Sequence, residues 1–343
     1  MAALLPRCLD SLVAADRADL LDVIVVNDGS KDNSSAVAHA YEQKYKSIVS
    51  VIDKPNGNYG STINAALPSA KGKYVKILDS DDWFDTKALD SFINALRTID
   101  ADVIQTPFTQ IGATAHEVVR YNTMGREPYE YGRCYLLDDI LPDGYIRFFL
   151  MHGLTYRTGL LRQMNYQQTE GISYTDTEWA CYPFFYARTI VFLDCNLYQY
   201  NLDREGQTMD PKVLLKSLGQ IEKVTDQMLA YYETHIASVS AVRQAWLKQY
   251  YENRVRILYK IYLLDMPRKD FNADDMQAFD DKYWHICQHL SLTPKLYPAN
   301  KLLRIEYIRF WHKHHRRWSP ALEALNHCLD VMMQWLYVKF IRH

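Results

Sequence analysis

The stretch KYVKILDSDDWFD (residues 73–85) sets Asp79, Asp81, Asp82 and Asp85 directly behind an apolar run. Two unit charges ~4 Å apart repel by ~4 kcal/mol at an effective dielectric of 20. A chain tolerates such crowding where water solvates the charges or a cation sits among them. Asp79 and Asp81 are two residues apart, so a kink after a strand can aim both at one point. A hard cation such as Mg2+ takes oxygen ligands and keeps several waters, using one or two carboxylates together with substrate phosphates. It would relieve the repulsion and neutralise charge developing on a diphosphate leaving group. The competing reading is a solvated acidic loop in which Asp82 or Asp85 caps the next helix, and Asp85, just before TKALDSF, fits the cap. A second polar cluster, NDGS (27–30), also ends an apolar run. There the Asp28 carboxylate can accept hydrogen bonds from a base or ribose, or simply close an Asp-Gly turn.

The elements that must position these groups alternate. Leu4, Leu5, Cys8, Leu9, Leu12 and Val13 recur at helical spacing. Apolar runs in 21–30, 47–53, 73–79 and 101–108 have strand length, with helical patterns between them. Continuous apolar runs suit strands buried on both faces. The expected fold is therefore α/β: a mostly parallel sheet of the doubly wound type, flanked by helices. Ligands of such sheets bind outside the carboxyl ends of the strands, where both acidic clusters fall. Residues 148–165 and 174–187 read as helices, and 189–202 as one or two strands. From about 211 the pattern is almost wholly helical, which predicts a domain over 1–210 and a helical C-terminal domain over 211–343.

Charged residues make up 23% of the chain and the net charge is −2, so bulk charge gives no reason to expect a nucleic-acid partner. The six cysteines follow no zinc spacing and read as free thiols in a reducing compartment. Pro6 and Arg7 interrupt the short apolar start, which argues against a signal peptide. No segment approaches the roughly 20 apolar residues of a membrane span. The expectation is a cytoplasmic protein, at most peripheral to the inner face of a membrane.

VIVVNDGSKDNS, KPNGNYGSTINAAL and AKGKYVKILDSDDW occur in order. Together they resemble the signature of family 2 glycosyltransferases with the GT-A fold, of the bacterial cell-surface polysaccharide type. GISYTDTEWACYPFFYARTIVFLDCNLYQYNLDREGQTM is similar to the acceptor-side segment of bacterial members. The resemblance covers roughly residues 4–210. It implies an inverting transferase that uses a nucleotide-diphosphate sugar, a UDP-sugar in the first instance, and Mg2+ or Mn2+. It further implies that Asp28 contacts the uracil or ribose, that Asp79 lies near ribose and metal, and that Asp81 ligates the metal. Asn56, Gly57 and Gly60 would line the donor pocket, with Asn64 a lesser candidate. Asp176 would be the general base, and Arg204 and Gln207 would lie near the diphosphate or acceptor. Glu178 is the rival base: two residues from Asp176, it should face another way, and both also read as the first turn of a helix. Members of the family normally begin with a strand and a P-x-Y-N turn, whereas this chain starts within the equivalent of the following helix.

The tail, 307–343, mixes Lys313, Arg316 and Arg317 with Trp311, Trp318 and Trp335. It reads either as a basic amphipathic foot on an anionic membrane surface, which would suit a lipid-linked or growing glycan acceptor, or as a packed helical subdomain. Two other functions compete with sugar transfer. One is a degenerate glycan-binding or assembly subunit. The other is a sugar nucleotidyltransferase, whose usual Gly-rich basic loop is not seen.

Overall fold

The computed structural model describes residues 1–112, 115–120, 129–202, 211–297 and 306–318. The chain divides into two compact units, Met1–Val213 with Ser217–Trp246, and Leu214–Lys216 with Leu247–His343. The first opens on α1 (Leu5–Val13), whose Leu5, Cys8, Leu9 and Leu12 are buried as their spacing predicts. There follow β1 (Val23–Asp28), α2 (Ser34–Lys44), β2 (Val49–Lys54), α3 (Asn58–Ala66), β3 (Tyr74–Val75), β4 (Trp83–Phe84), α4 (Thr86–Leu96) and β5 (Val103–Gln105). Next come β6 (Phe108–Gly112), β7 (Ala115–Val119), β8 (Cys134–Leu136), α5 (Leu137–Ile140), β9 (Leu154–Arg157), α6 (Thr158–Gln163), α7 (Asp176–Trp179), β10 (Thr189–Phe192) and β11 (Tyr198–Asn201). Helices α8 (Pro211–Lys216) and α9 (Leu218–His235) complete this stretch.

The strands form ladders of order β1-β2, β3-β9-β5-β10-β8 and β4-β11-β6-β7. Pairing is parallel between β1 and β2, β5 and β10, and β6 and β11, and antiparallel elsewhere. The sheet is thus mixed, where alternation alone had pointed to a doubly wound parallel one. The difference arises at residues 148–165, which do not form one helix. They carry β9, which inserts between β3 and β5. Leu154, Thr155 and Tyr156 are all buried, so no polar face marks the strand and its apolar residues merge with those of α6. Residues 174–187 likewise hold only the short α7 and a 3-10 turn, Tyr182–Phe185.

Strand β1 is half-buried along its whole length, not buried on both faces. Among the described residues it pairs with β2 alone. Beneath it, Leu5, Leu9 and Leu12 of α1 and Leu89, Phe92 and Ile93 of α4 form one apolar cluster with Phe84, Phe108 and Tyr198. Helix α9 belongs to this unit. Tyr231 stacks on Tyr182 at 3.8 Å, and Gln220 accepts from the Ser173 amide at 2.8 Å. The change to helical composition near 210 therefore precedes the end of the first unit.

The second unit is helical. It contains residues 247–260 of α10 (Ala241–Lys260), α11 (Ala273–His289) and α12 (Tyr307–His314). Tyr251, Tyr259, Tyr283 and Trp311 are fully buried there, and Asp280 accepts from Tyr259 at 2.6 Å and meets His312 Nε2 at 2.9 Å. Trp318 is buried against Tyr307. The described part of the tail thus packs its tryptophans inward instead of presenting them to a membrane. Trp335 lies outside the described residues. No helix among the described residues is long and apolar enough to cross a membrane.

Candidate functional site

The site begins where β1 ends. The parallel register sets Asp28 opposite Lys54, and Lys54 Nζ donates to Asp28 Oδ1 at 2.7 Å. The same oxygen accepts from the Gly57 amide at 2.9 Å and from Ser61 Oγ at 3.3 Å. Burial works to raise this carboxyl, but Lys54, the Gly57 amide and Ser61 outweigh it and hold it below the usual range. Asn56 Nδ2 donates to the Asp28 carbonyl at 3.0 Å. Gly29 turns the chain with φ +67°, and a Cβ there would lie 2.8 Å from the Asn56 nitrogen. Asp28, Asn56 and Gly57 therefore form one rigid corner at the carboxyl end of the β1–β2 pair.

Helix α3 carries this corner toward the acidic cluster. Ser61 faces Asp28, while the Tyr59 hydroxyl donates to Met151 Sδ at 3.1 Å and helps hold the Asp79 carboxyl down. Asp79 follows the short β3, and its amide donates to Tyr198 Oη at 3.2 Å. Tyr198, on β11, donates onward to Asp82 Oδ2 at 2.5 Å, and the Asn201 amide donates to Asp82 Oδ1 at 2.8 Å. Asp82 is thus a buried member of the site and does not cap α4. That cap is Asp85, which accepts from the Ala88 amide at 2.8 Å. The Asp81 carbonyl accepts from Arg7 at 3.1 Å and from Asn201 Nδ2 at 3.3 Å.

Burial, then the neighbouring charges of Asp82 and Asp81, pushes the Asp79 carboxyl up to about 8, and Asp176 adds to this. Burial likewise raises Asp82 to about 7, against the Asn201 and Tyr198 hydrogen bonds. His152, at the turn before β9, joins them. Its ring lies against Phe108, Tyr198 and Tyr200, and burial with the nearby Lys76 amine drives it down to about 3. Asp79, Asp82 and His152 bring ligand atoms within 4.8 Å of one another. The buried Nδ1 of His152 has no hydrogen-bond partner. Crowded carboxyls beside a neutral imidazole with an orphan nitrogen make a donor set that fits a small divalent cation. Asp81 stands outside that triad, and its charge acts on both aspartates.

Asp176 opens α7 and lies close enough to Asp79 and Tyr59 to raise both. Glu178 is fully buried and turned elsewhere: its two oxygens accept from the Thr169 amide at 2.7 Å and the Thr169 hydroxyl at 2.6 Å. Gly60 precedes Ser61 on α3. It abuts the Thr169 carbonyl, 2.1 Å from where a Cβ would sit, and Asn64 is bonded to Gln168 and Glu170. Arg204 and Gln207 lie outside the described residues. Sequence reasoning missed Lys54, Tyr59, His152 and Tyr198. Lys54 and Tyr59 fall inside KPNGNYGSTINAAL without a role of their own, Tyr198 left a trace in the alternation of YQYN (198–201), and His152 left none.

The candidate site thus holds a pinned aspartate at the end of β1, an acidic cluster after β3 and the charge of Asp176 acting on it. Residues 2–163 match the family described as Glycosyl transferase family 2. Over those residues the chain is similar to that family, and its fold is GT-A-like. It is similar to the first 349 residues of S. aureus TarS, with a TM-score of 0.60 at 19% identity, covering 84% of this chain and 78% of that one. A second TarS structure, in complex with UDP-GlcNAc, aligns with a TM-score of 0.51 at 18% identity, covering 87% and 91%. An uncharacterised glycosyltransferase of Mycoplasma pneumoniae is 42% identical over 83 residues, 23% of this chain and 27% of that protein. The matches span only 27% and 33% of the length of the first two curated relatives.

Proposed function

We propose that this chain is an inverting glycosyltransferase that moves a sugar from a nucleotide-diphosphate donor, a UDP-sugar, to a saccharide or lipid-linked acceptor in cell-surface polysaccharide synthesis. The observation that carries this reading is the acidic cluster after β3, where Asp79, Asp82 and His152 bring ligand atoms within 4.8 Å of one another and the charge of Asp176 adds to theirs. With Asp28, these carboxylates can serve a nucleoside, a pyrophosphate and an acceptor.

Asp28, ionised and pinned, accepts hydrogen bonds from the base or ribose, with Asn56 and Gly57 shaping the pocket wall. Asp176 takes the acceptor hydroxyl proton as that oxygen attacks the anomeric carbon, a role worth ~10²–10⁴-fold. Asp79 and Asp81, with Asp82 and His152 beside them, would hold Mg2+ or Mn2+, which supplies positive charge to the departing diphosphate. Arg204 and Gln207 are assigned to diphosphate or acceptor from sequence alone. Catalysis belongs to the first unit, and we place the protein at the cytoplasmic face of the membrane that carries its acceptor. UDP-GlcNAc in the TarS complex makes it the first donor to try.

The test is UDP release from a panel of UDP-sugars with Mn2+ and saccharide acceptors, with the product anomer read by NMR. Release coupled to an inverted linkage is expected. Binding of UDP without turnover would favour a glycan-binding or assembly subunit, and no binding of any nucleotide would end the proposal.

A further inference from the structure

One segment is bonded to both α3 and α7. Residues Gln168–Gly171 run between α3, which faces Asp28 and Asp79, and α7, which presents Asp176. On the α3 side, Asn64 grips Gln168 at two points: Nδ2 donates to its carbonyl at 2.8 Å and Oδ1 accepts from its amide at 2.9 Å. The Gly171 amide donates to the Gly57 carbonyl at 2.7 Å. Gly60 lets the Thr169 carbonyl approach to where a Cβ would be only 2.1 Å away. On the α7 side, Gln168 Nε2 donates to the Thr175 carbonyl at 2.6 Å and its hydroxyl at 3.0 Å. Thr169 donates twice to Glu178, at 2.7 and 2.6 Å. Gln168, Thr175 and Glu178 are all buried, so these bonds do not compete with water and hold their geometry.

We propose that Gln168–Gly171 is a strap that fixes the base Asp176 relative to the donor site, with Glu178, Gln168 and Asn64 as positioning residues. This rests on the assignment of Asp176 above. Asp176 leads the four-residue α7, which is too short to hold its own direction. Its placement comes from Thr175 and Glu178 on either side, both tied to the strap. A displacement near 1 Å at a reacting centre costs on the order of 10²-fold, so a strap anchored at both ends matters to rate.

Glu178 separates positioning from base chemistry. Glu178→Ala removes both Thr169 bonds. Glu178→Gln keeps them, because the amide oxygen accepts from the Thr169 amide while its NH2 donates to the Thr169 hydroxyl, which can accept. We expect Glu178→Ala to lower kcat about 10²-fold, Glu178→Gln to recover most of that loss, and the Kd for UDP with Mn2+ to stay within about threefold in both. Equal loss in the two variants, as deep as in Asp176→Asn, would make Glu178 the base and overturn the proposal. Near-normal turnover of Glu178→Ala would overturn it as well.

A second measurement needs no turnover. Gly60→Ala forces the Thr169 carbonyl back by about an ångström. Hydrogen exchange should show UDP protecting residues 58–66 and 174–179 together in the native chain, and 58–66 alone in Gly60→Ala. Protection of 174–179 in both chains would remove the strap as the link. Failure of the native chain to bind UDP would sink the functional reading and the strap with it.

Discussion

At the scale of single residues, the acidic cluster makes a pH-dependent statement. Asp79 is raised to about 8 and Asp82 to about 7, chiefly by burial. A carboxyl raised in the folded state favours folding most below its ordinary value of 3.8. That contribution is lost as pH climbs through the folded values. Without a divalent ion, the melting temperature should therefore fall between pH 5 and pH 9. Mn2+ should restore it, and more at pH 8 than at pH 6, because at pH 6 the ion must displace protons. Scanning calorimetry in EDTA and in Mn2+ reads this directly. An equal Mn2+ response at both pH values would mean the cluster does not bind the ion. Asp81→Asn should abolish Mn2+-dependent UDP binding in calorimetric titration, and unchanged affinity would remove Asp81 as a ligand. Asp176→Asn should leave UDP affinity intact while cutting turnover ~10²–10⁴-fold; near-normal turnover would strip it of the base role.

At the scale of elements, what could be read from the chain was local. Asp85 capping α4, the apolar face of α1 and the Asp28–Gly29 turn each depend on a few consecutive residues, and each is present. What could not be read was made by pairing across distance. Lys54 meets Asp28 only through the β1–β2 register. His152 meets Asp79 and Asp82 only because β9 inserts beside β3, and MHG (151–153) carries no local sign of that. Asp82 looked like a helix cap because its true partners, Tyr198 and Asn201, lie more than a hundred residues away. Gly29 shows how much one local element supports. Alanine there must adopt φ +67° and press its Cβ to 2.8 Å from Asn56. Left-handed backbone alone costs an L-residue ~1–2 kcal/mol. Gly29→Ala should thus destabilise the chain by at least ~1 kcal/mol in urea unfolding and weaken UDP several-fold as the Asn56–Asp28 bond shifts. Native UDP affinity in that variant would show that the corner is not part of the donor pocket.

At the scale of the whole molecule, the assigned chemistry lies in one unit. Asp28, Asp79, Asp82, His152 and Asp176 all belong to the first, whereas the described part of the second is an aromatic helical core around Tyr259, Asp280 and Trp311. A ligand that binds only the folded state stabilises what it binds by RT ln(1 + [L]/Kd), about 2.7 kcal/mol at a hundredfold excess over Kd. UDP with Mn2+ at that excess should slow amide exchange in β1, α3, residues 76–82 and β11 by about a hundredfold where exchange reports opening of the first unit. Exchange in α11 should change far less, because its Phe279 and Tyr283 pack with Tyr259 inside the second unit. Equal protection of both units by UDP would mean that they open as one cooperative body.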